Sequence, residues 1–231
     1  MDSIKKQARG AGILYFLACI TAPFSLIYVP HALFVPGDAT ATADHIRASE
    51  AILHLGIASE LIGTTILIFA VLAFYRLFKG VDERHALAMA TLILISVPIS
   101  FFNVLNEIAA LVFAKGAASL SAFDKPQLDA FAFLFLRLHG QGLIVAQIFW
   151  GLWLFPFGIL VMRSGFIPRL LGVFLMFAGS AYVASSLTAL FFPQHQHLVG
   201  QLATVLEVGE VPLIFWLLIW GAKAQPQVAR K

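Results

Sequence analysis

Charge is scarce in this chain. Only 12% of its 231 residues are Asp, Glu, Lys or Arg, about half the share of a soluble domain, and 60% are hydrophobic. That is too little polar side chain to clothe a domain in water, and it excludes a soluble enzyme, a disordered chain and a coiled coil. Cysteine is nearly absent as well. Cys19 stands alone, so no intramolecular disulfide forms and no chemistry by a cysteine pair is available. Long polar stretches are missing too, the longest connections between apolar runs being residues 35–50 and 115–129. Any activity therefore belongs to the apolar bundle and those connections. No connection carries a basic stripe with interleaved aromatics, so a nucleic-acid partner is not expected despite a pI near 9.2.

Apolar length is what the chain has in quantity, with a mean hydropathy of +0.90. A helix needs roughly 20 mostly apolar residues to cross about 30 Å of hydrocarbon. Six runs meet that length, at about 10–34, 51–75, 86–114, 130–162, 170–192 and 198–221. They are continuous and rich in Leu, Ile, Phe and Ala, whereas the strands of a membrane barrel alternate over about 10 residues. The expected fold is all-α, a polytopic membrane protein forming one six-helix domain over residues 1–231. The first run is too long for the apolar core of a signal peptide, about 7–15 residues, and reads as a retained helix.

Basic residues collect on alternate connections. Lys5, Lys6 and Arg9 precede the first run, and Arg76, Lys79 and Arg84 lie between the second and third. Arg163 and Arg169 follow the fourth, and Lys223, Arg230 and Lys231 follow the sixth. The opposite connections hold Arg47, Lys115 and Lys125. By the positive-inside rule both termini are expected in the cytoplasm.

An ionisable residue within a membrane helix costs about 2.5–3.5 kcal/mol on insertion scales, so each calls for a reason. The second run carries Glu60, and the third Asn103, Asn106 and Glu107. The fourth carries Arg137, His139, Gln141 and Gln147, and the sixth Gln201, Glu207 and Glu210; His31, Glu50 and His54 stand at helix ends. Most fall in the half of the helices away from the basic connections, a pattern that suggests a polar cavity open to the outside. Residues three or four apart share a helix face. Asn103, Asn106 and Glu107 thus form one stripe, and Arg137 shares a face with Gln141 while His139 points nearly the opposite way. Glu60, Glu107, Glu207 and Glu210 face a single intramembrane cation, Arg137. A buried carboxylate is either paired or protonated, and by depth Glu107 is the expected partner of Arg137. Glu207 and Glu210 lie beside Pro212, which lacks an N–H and bends a helix.

A family resemblance rests on the stretch from Leu138 to Gly179. It combines Leu138-His139-Gly140-Gln141-Gly142, then Phe149-Trp150-Gly151-Leu152, then Ser164-Gly165-Phe166-Ile167-Pro168-Arg169-Leu170-Leu171-Gly172, and closes with Phe177-Ala178-Gly179. This resembles the bacterial inner-membrane family known as domain of unknown function 4386. Many members of that family carry a second histidine where Trp153 stands here, which argues against a two-histidine site within this helix. The resemblance implies a multi-pass protein of the bacterial inner membrane and no particular activity.

Three function classes stay open. The first is binding or transport of a small molecule or ion, with Glu60, Asn103, Glu107, Arg137, Gln141, Glu207 and Glu210 as ligand-binding or proton-relay groups. A complete pathway would call for a homo-oligomer, since six helices are few. The second is a membrane-embedded metal hydrolase or a haem-binding redox protein, with His54 and His139 as metal ligands and Glu60, Glu107 or Glu207 completing the set. No His-Glu-x-x-His motif occurs, and no cofactor is specified. The third is a structural or sensory membrane partner, in which the polar groups are internal glue against a surrounding lipid bilayer.

Overall fold

The computed structural model describes residues 2–222. Met1 and residues 223–231 lie outside the described residues, and with them the terminal cations Lys223, Arg230 and Lys231. The described elements are all helical, with no strand among them. Six are long and apolar enough to cross a membrane: α1 (Ser3–Leu33), α3 (Glu50–Phe78), α4 (Glu83–Lys115), α5 (Lys125–Ser164), α6 (Arg169–Phe191) and α7 (Pro193–Ile219). A seventh, α2 (Ala39–Ala48), is short. Helices suit hydrocarbon, because they satisfy each backbone N–H and C=O within their own segment. Phe102, Phe177, Leu202 and Val205 are exposed, an apolar surface suited to lipid. The chain is an all-α, multi-pass membrane protein.

It divides into two compact units. Among the described residues, the first comprises residues 2–16, 66–96 and 144–222, the second Leu17–Thr65 and Val97–Leu143. The divisions fall inside α1, α3, α4 and α5, so each of these helices contributes to both.

In the first unit, glycines set how closely α5 and α6 approach. A Cβ on Gly151 would meet the Gly179 carbonyl oxygen at 2.7 Å, and one on Gly158 would meet that of Gly172 at 2.7 Å. The contacts are reciprocal and recur seven residues apart, so small residues line a seam where two backbones touch. A tight turn joins the two helices. Gly165 takes φ 70°, a left-handed conformation open to glycine, and buried Phe166 and Ile167 follow it. Ser164 Oγ donates to Val161 O at 2.8 Å and accepts from Ile167 N–H at 3.3 Å. Most of the stretch that carries the family resemblance is therefore scaffold. An aromatic cluster packs this unit, with Tyr15 edge-on to Phe74 and Trp153 and with Phe157 against Phe74, Phe78 and Trp153. Arg163 pairs with Asp82 at 2.7 Å. The backbone N–H of His85, with the His85 ring and Arg163, holds the Asp82 carboxyl below the usual carboxylate range.

The second unit contains the main departure from expectation. Residues 35–50 read as a loop, yet Ala39–Ala48 is helical, capped by Asp38 Oδ1 accepting from Ala41 N–H at 2.9 Å. Its buried Ala43 and Ile46 join Val29, Leu33, Leu53, Ala110 and Ala132 in one core. Arg47 clamps α2 in place, donating to the Ala114 carbonyl and to buried Asp129, both at 2.8 Å. Residues 115–129 also hold more structure than expected: a 3-10 turn at Ala118–Leu120 and the first turn of α5 from Lys125.

The glycine seam makes a direct prediction. Gly158→Leu is expected to force α5 from α6, destabilise the fold by about 1–3 kcal/mol through overpacking and so lower the thermal unfolding midpoint in detergent. An unchanged midpoint would show that the seam is not a packed interface.

Candidate functional site

Glu60 of α3, Glu107 of α4 and His139 of α5 converge within the second unit. Their exposures are 7%, 3% and 4%, so each is more than nine-tenths buried. The His139 Nε2 stands 3.5 Å from Glu60 Oε2 and 3.8 Å from Glu107 Oε1. One donor atom from each residue lies within 4.8 Å of the other two.

Local sequence builds this arrangement. Gly56 and Gly63 lie one turn either side of Glu60 on the same face of α3. An added Cβ at Gly56 would meet Val29 Cγ2 at 2.9 Å, and one at Gly63 would run into Thr21 Oγ1. Those glycines let α1 close against the face that carries Glu60. On α4 the stripe of Asn103, Asn106 and Glu107 faces α5. The Asn103 carbonyl lies 3.3 Å from His139 Nδ1. A carbonyl can only accept, so Nδ1 carries the proton, and in the neutral ring Nε2 turns its lone pair toward the carboxylates. The Asn103 side chain crosses to α5 and donates Nδ2 to the His139 carbonyl at 2.9 Å, while its Oδ1 accepts from Asn106 at 3.1 Å. It fits because α5 has Gly142 there: a Cβ would stand 2.5 Å from Asn103 Cγ.

The three ionisable groups are short of partners. Neither carboxylate oxygen of Glu60 has a hydrogen-bond partner among the described residues, and the same holds for Glu107 Oε2 and His139 Nε2. Close by, Pro98, Ile99, Phe102, Asn103, Asn106 and Gly142 line an open hollow of about 410 Å³.

The remaining expected site residues lie elsewhere. Arg137, Gln141 and His54 are exposed. The expected pairing of Arg137 with Glu107 is not made, and His139 faces Glu107 instead. At 100° per residue, positions 137 and 139 point nearly opposite ways, and the buried side of α5 belongs to His139. His54 stands outside the group that His139 forms with the two glutamates. Glu207 and Glu210 are in the first unit, at a 3-10 turn (Val208–Glu210) before Pro212. Glu210 accepts from the Tyr15 hydroxyl. Gln147 reaches Glu207 at 3.5 Å and accepts from Ser186 at 3.3 Å. Two contributors escaped the sequence reading. Gly142 stood in the resemblance motif with no role attached, and its spacing of three from His139 was the available signal. Tyr15 offered no signal, since a tyrosine in an apolar run reads as packing.

Fold and site together define a multi-pass membrane protein with a buried cluster of two acids and a histidine. The chain belongs to the family described as domain of unknown function (DUF4386), whose profile matches residues 10–221. It is also similar to an uncharacterized protein of Archaeoglobus fulgidus, at 34% identity over 85 residues, 37% of this chain and 49% of the archaeal protein. The match thus spans about half the length of that relative. No solved structure matches the chain.

Gly142→Ala is expected to push the Asn103 amide off its two hydrogen bonds, at about 1–2 kcal/mol. In an Asn103→Ala background the same change should cost little, so thermal unfolding of the double-mutant cycle should be non-additive. Additive losses would mean that Gly142 and Asn103 do not share this contact.

Proposed function

We propose that the protein binds a small cation, a proton or a metal ion, at Glu60, Glu107 and His139, as the binding step of transport across its membrane. The reading places it in a bacterial inner membrane with both termini in the cytoplasm, as the basic connections favour. One observation carries it: three buried ionisable groups with donor atoms aimed at one another and several oxygens left without hydrogen-bond partners among the described residues. Internal glue works by satisfying polar atoms, and a buried acid left unsatisfied costs stability. Groups kept at such a cost are kept for a ligand. Charge points the same way. Two carboxylates and a neutral imidazole carry a charge of −2, which low dielectric disfavours until positive charge arrives.

Glu60→Gln and Glu107→Gln separate binding from scaffolding. Without added cations, each variant is expected to unfold no earlier than the parent, because a buried charge demand has been removed. A saturating cation, at about 100 times its dissociation constant, should stabilise the parent by about 2.7 kcal/mol and the variants far less. Thermal unfolding across a panel of cations and pH values reads both effects. Equal destabilisation of the variants under every condition would show that the cluster only holds helices together.

A further inference from the structure

We infer that the cation is a divalent transition-metal ion of the zinc type, held by Glu60, Glu107 and the Nε2 of His139. This rests on the cation-binding reading above and narrows it to one ligand class.

Distance is the first argument. Were the three groups a proton-sharing chain, His139 Nε2 would stand about 2.7–3.2 Å from an acceptor oxygen. Its separations are 3.5 Å from Glu60 and 3.8 Å from Glu107. These are long for hydrogen bonds and close to the spacing of ligands that share one ion. Metal–ligand bonds of about 2.0–2.2 Å at a tetrahedral angle place neighbouring donors about 3.4 Å apart. The two separations are also similar, as for donors at about equal distance from one centre.

The second argument is how the imidazole is held. His139 presents one nitrogen to the acids while the other faces the Asn103 carbonyl at 3.3 Å. A metal-ligating histidine is commonly fixed in this way, its far N–H donating to a backbone carbonyl so that the ligating lone pair is oriented. The Asn103 carbonyl and the Asn103 amide over Gly142 act as positioning groups for the ring.

Charge and donor type select the ion. Two carboxylates, a neutral imidazole and a divalent ion sum to zero, whereas a monovalent metal ion leaves −1. Calcium and magnesium favour oxygen donors throughout, and an imidazole nitrogen moves the preference toward zinc, iron, nickel or copper. The set is also more than an acidic cluster. Glu60 is more than nine-tenths buried, and neither of its oxygens has a hydrogen-bond partner among the described residues. Three protein donors leave coordination positions open, as in sites where a metal exchanges ligands or activates water.

The test uses full-length protein purified in detergent, with Zn²⁺ and Co²⁺ as probes. Equilibrium dialysis should give about one Zn²⁺ per chain, and Co²⁺ should give visible absorption bands of a low-coordinate site. His139→Ala and Glu60→Gln should each reduce Zn²⁺ affinity at least 100-fold, with helical circular dichroism confirming that they fold. His54→Ala, an exposed control, should bind as the parent does. Infrared difference spectra against pH, on parent and Glu60→Gln, provide the second arm. No stoichiometric metal, together with a protonated-carboxyl band that Glu60→Gln removes, would overturn the metal assignment and leave proton binding standing. The absence of both signals would overturn the metal assignment and the cation-binding reading together. Metal binding that survives both variants would place the ion elsewhere and overturn the proposal.

Discussion

Two glutamate carboxyls and an imidazole are buried together by helix packing, and any charge they carry has to be balanced there. In water that constraint would be weak, but within a membrane-spanning bundle it dominates, because an unpaired ion in low dielectric is far costlier than a lost contact. The features around the cluster are intelligible as ways of holding it. Gly56 and Gly63 let α1 close on the face of α3 that carries Glu60, and Gly142 leaves room for the amide that ties α4 to α5. The Asn103 carbonyl sets the ring so that Nε2 looks at both acids. Through Arg47 and its bonds to Ala114 and Asp129, α2 stays fixed on the same unit.

The two units differ in how their intramembrane acids are held. In the first, Tyr15 donates to Glu210, Gln147 links Ser186 to Glu207, and Arg163 meets Asp82. Glycines and aromatics there settle how α5 meets α6, and most of the residues that mark the family lie in that seam and its turn. In the second, Glu60, Glu107 and His139 keep atoms without hydrogen-bond partners among the described residues. A family signature made largely of packing residues says little about chemistry, and the unsatisfied cluster says more.

The fold was legible because crossing a bilayer demands apolar length, and length is written in the sequence. All six spans sit where the apolar runs are, with ends shifted by one to seven residues. The helix at Ala39–Ala48 was not legible, because polar residues such as Thr40, Thr42 and Asp44 masked the capping role of Asp38. The site was half legible. Glu60, Glu107 and His139 stood out as costly residues in apolar runs, and helix periodicity showed that His139 and Arg137 could not share a target. Periodicity does not say which face of a helix is buried, so the cation won the expected pairing with Glu107 on charge and depth. The structure gives that place to the histidine. Contacts between distant segments, such as Tyr15 with Glu210 or Gly142 with Asn103, leave no local pattern to read.

The most direct measurement is anomalous diffraction at the zinc absorption edge, from crystals of the full chain grown with Zn²⁺. The expected result is one strong peak about 2.0–2.2 Å from His139 Nε2 and from one oxygen each of Glu60 and Glu107. A structure in which Nε2 instead donates to a glutamate at about 2.8 Å, with no anomalous peak among the three residues, would contradict it.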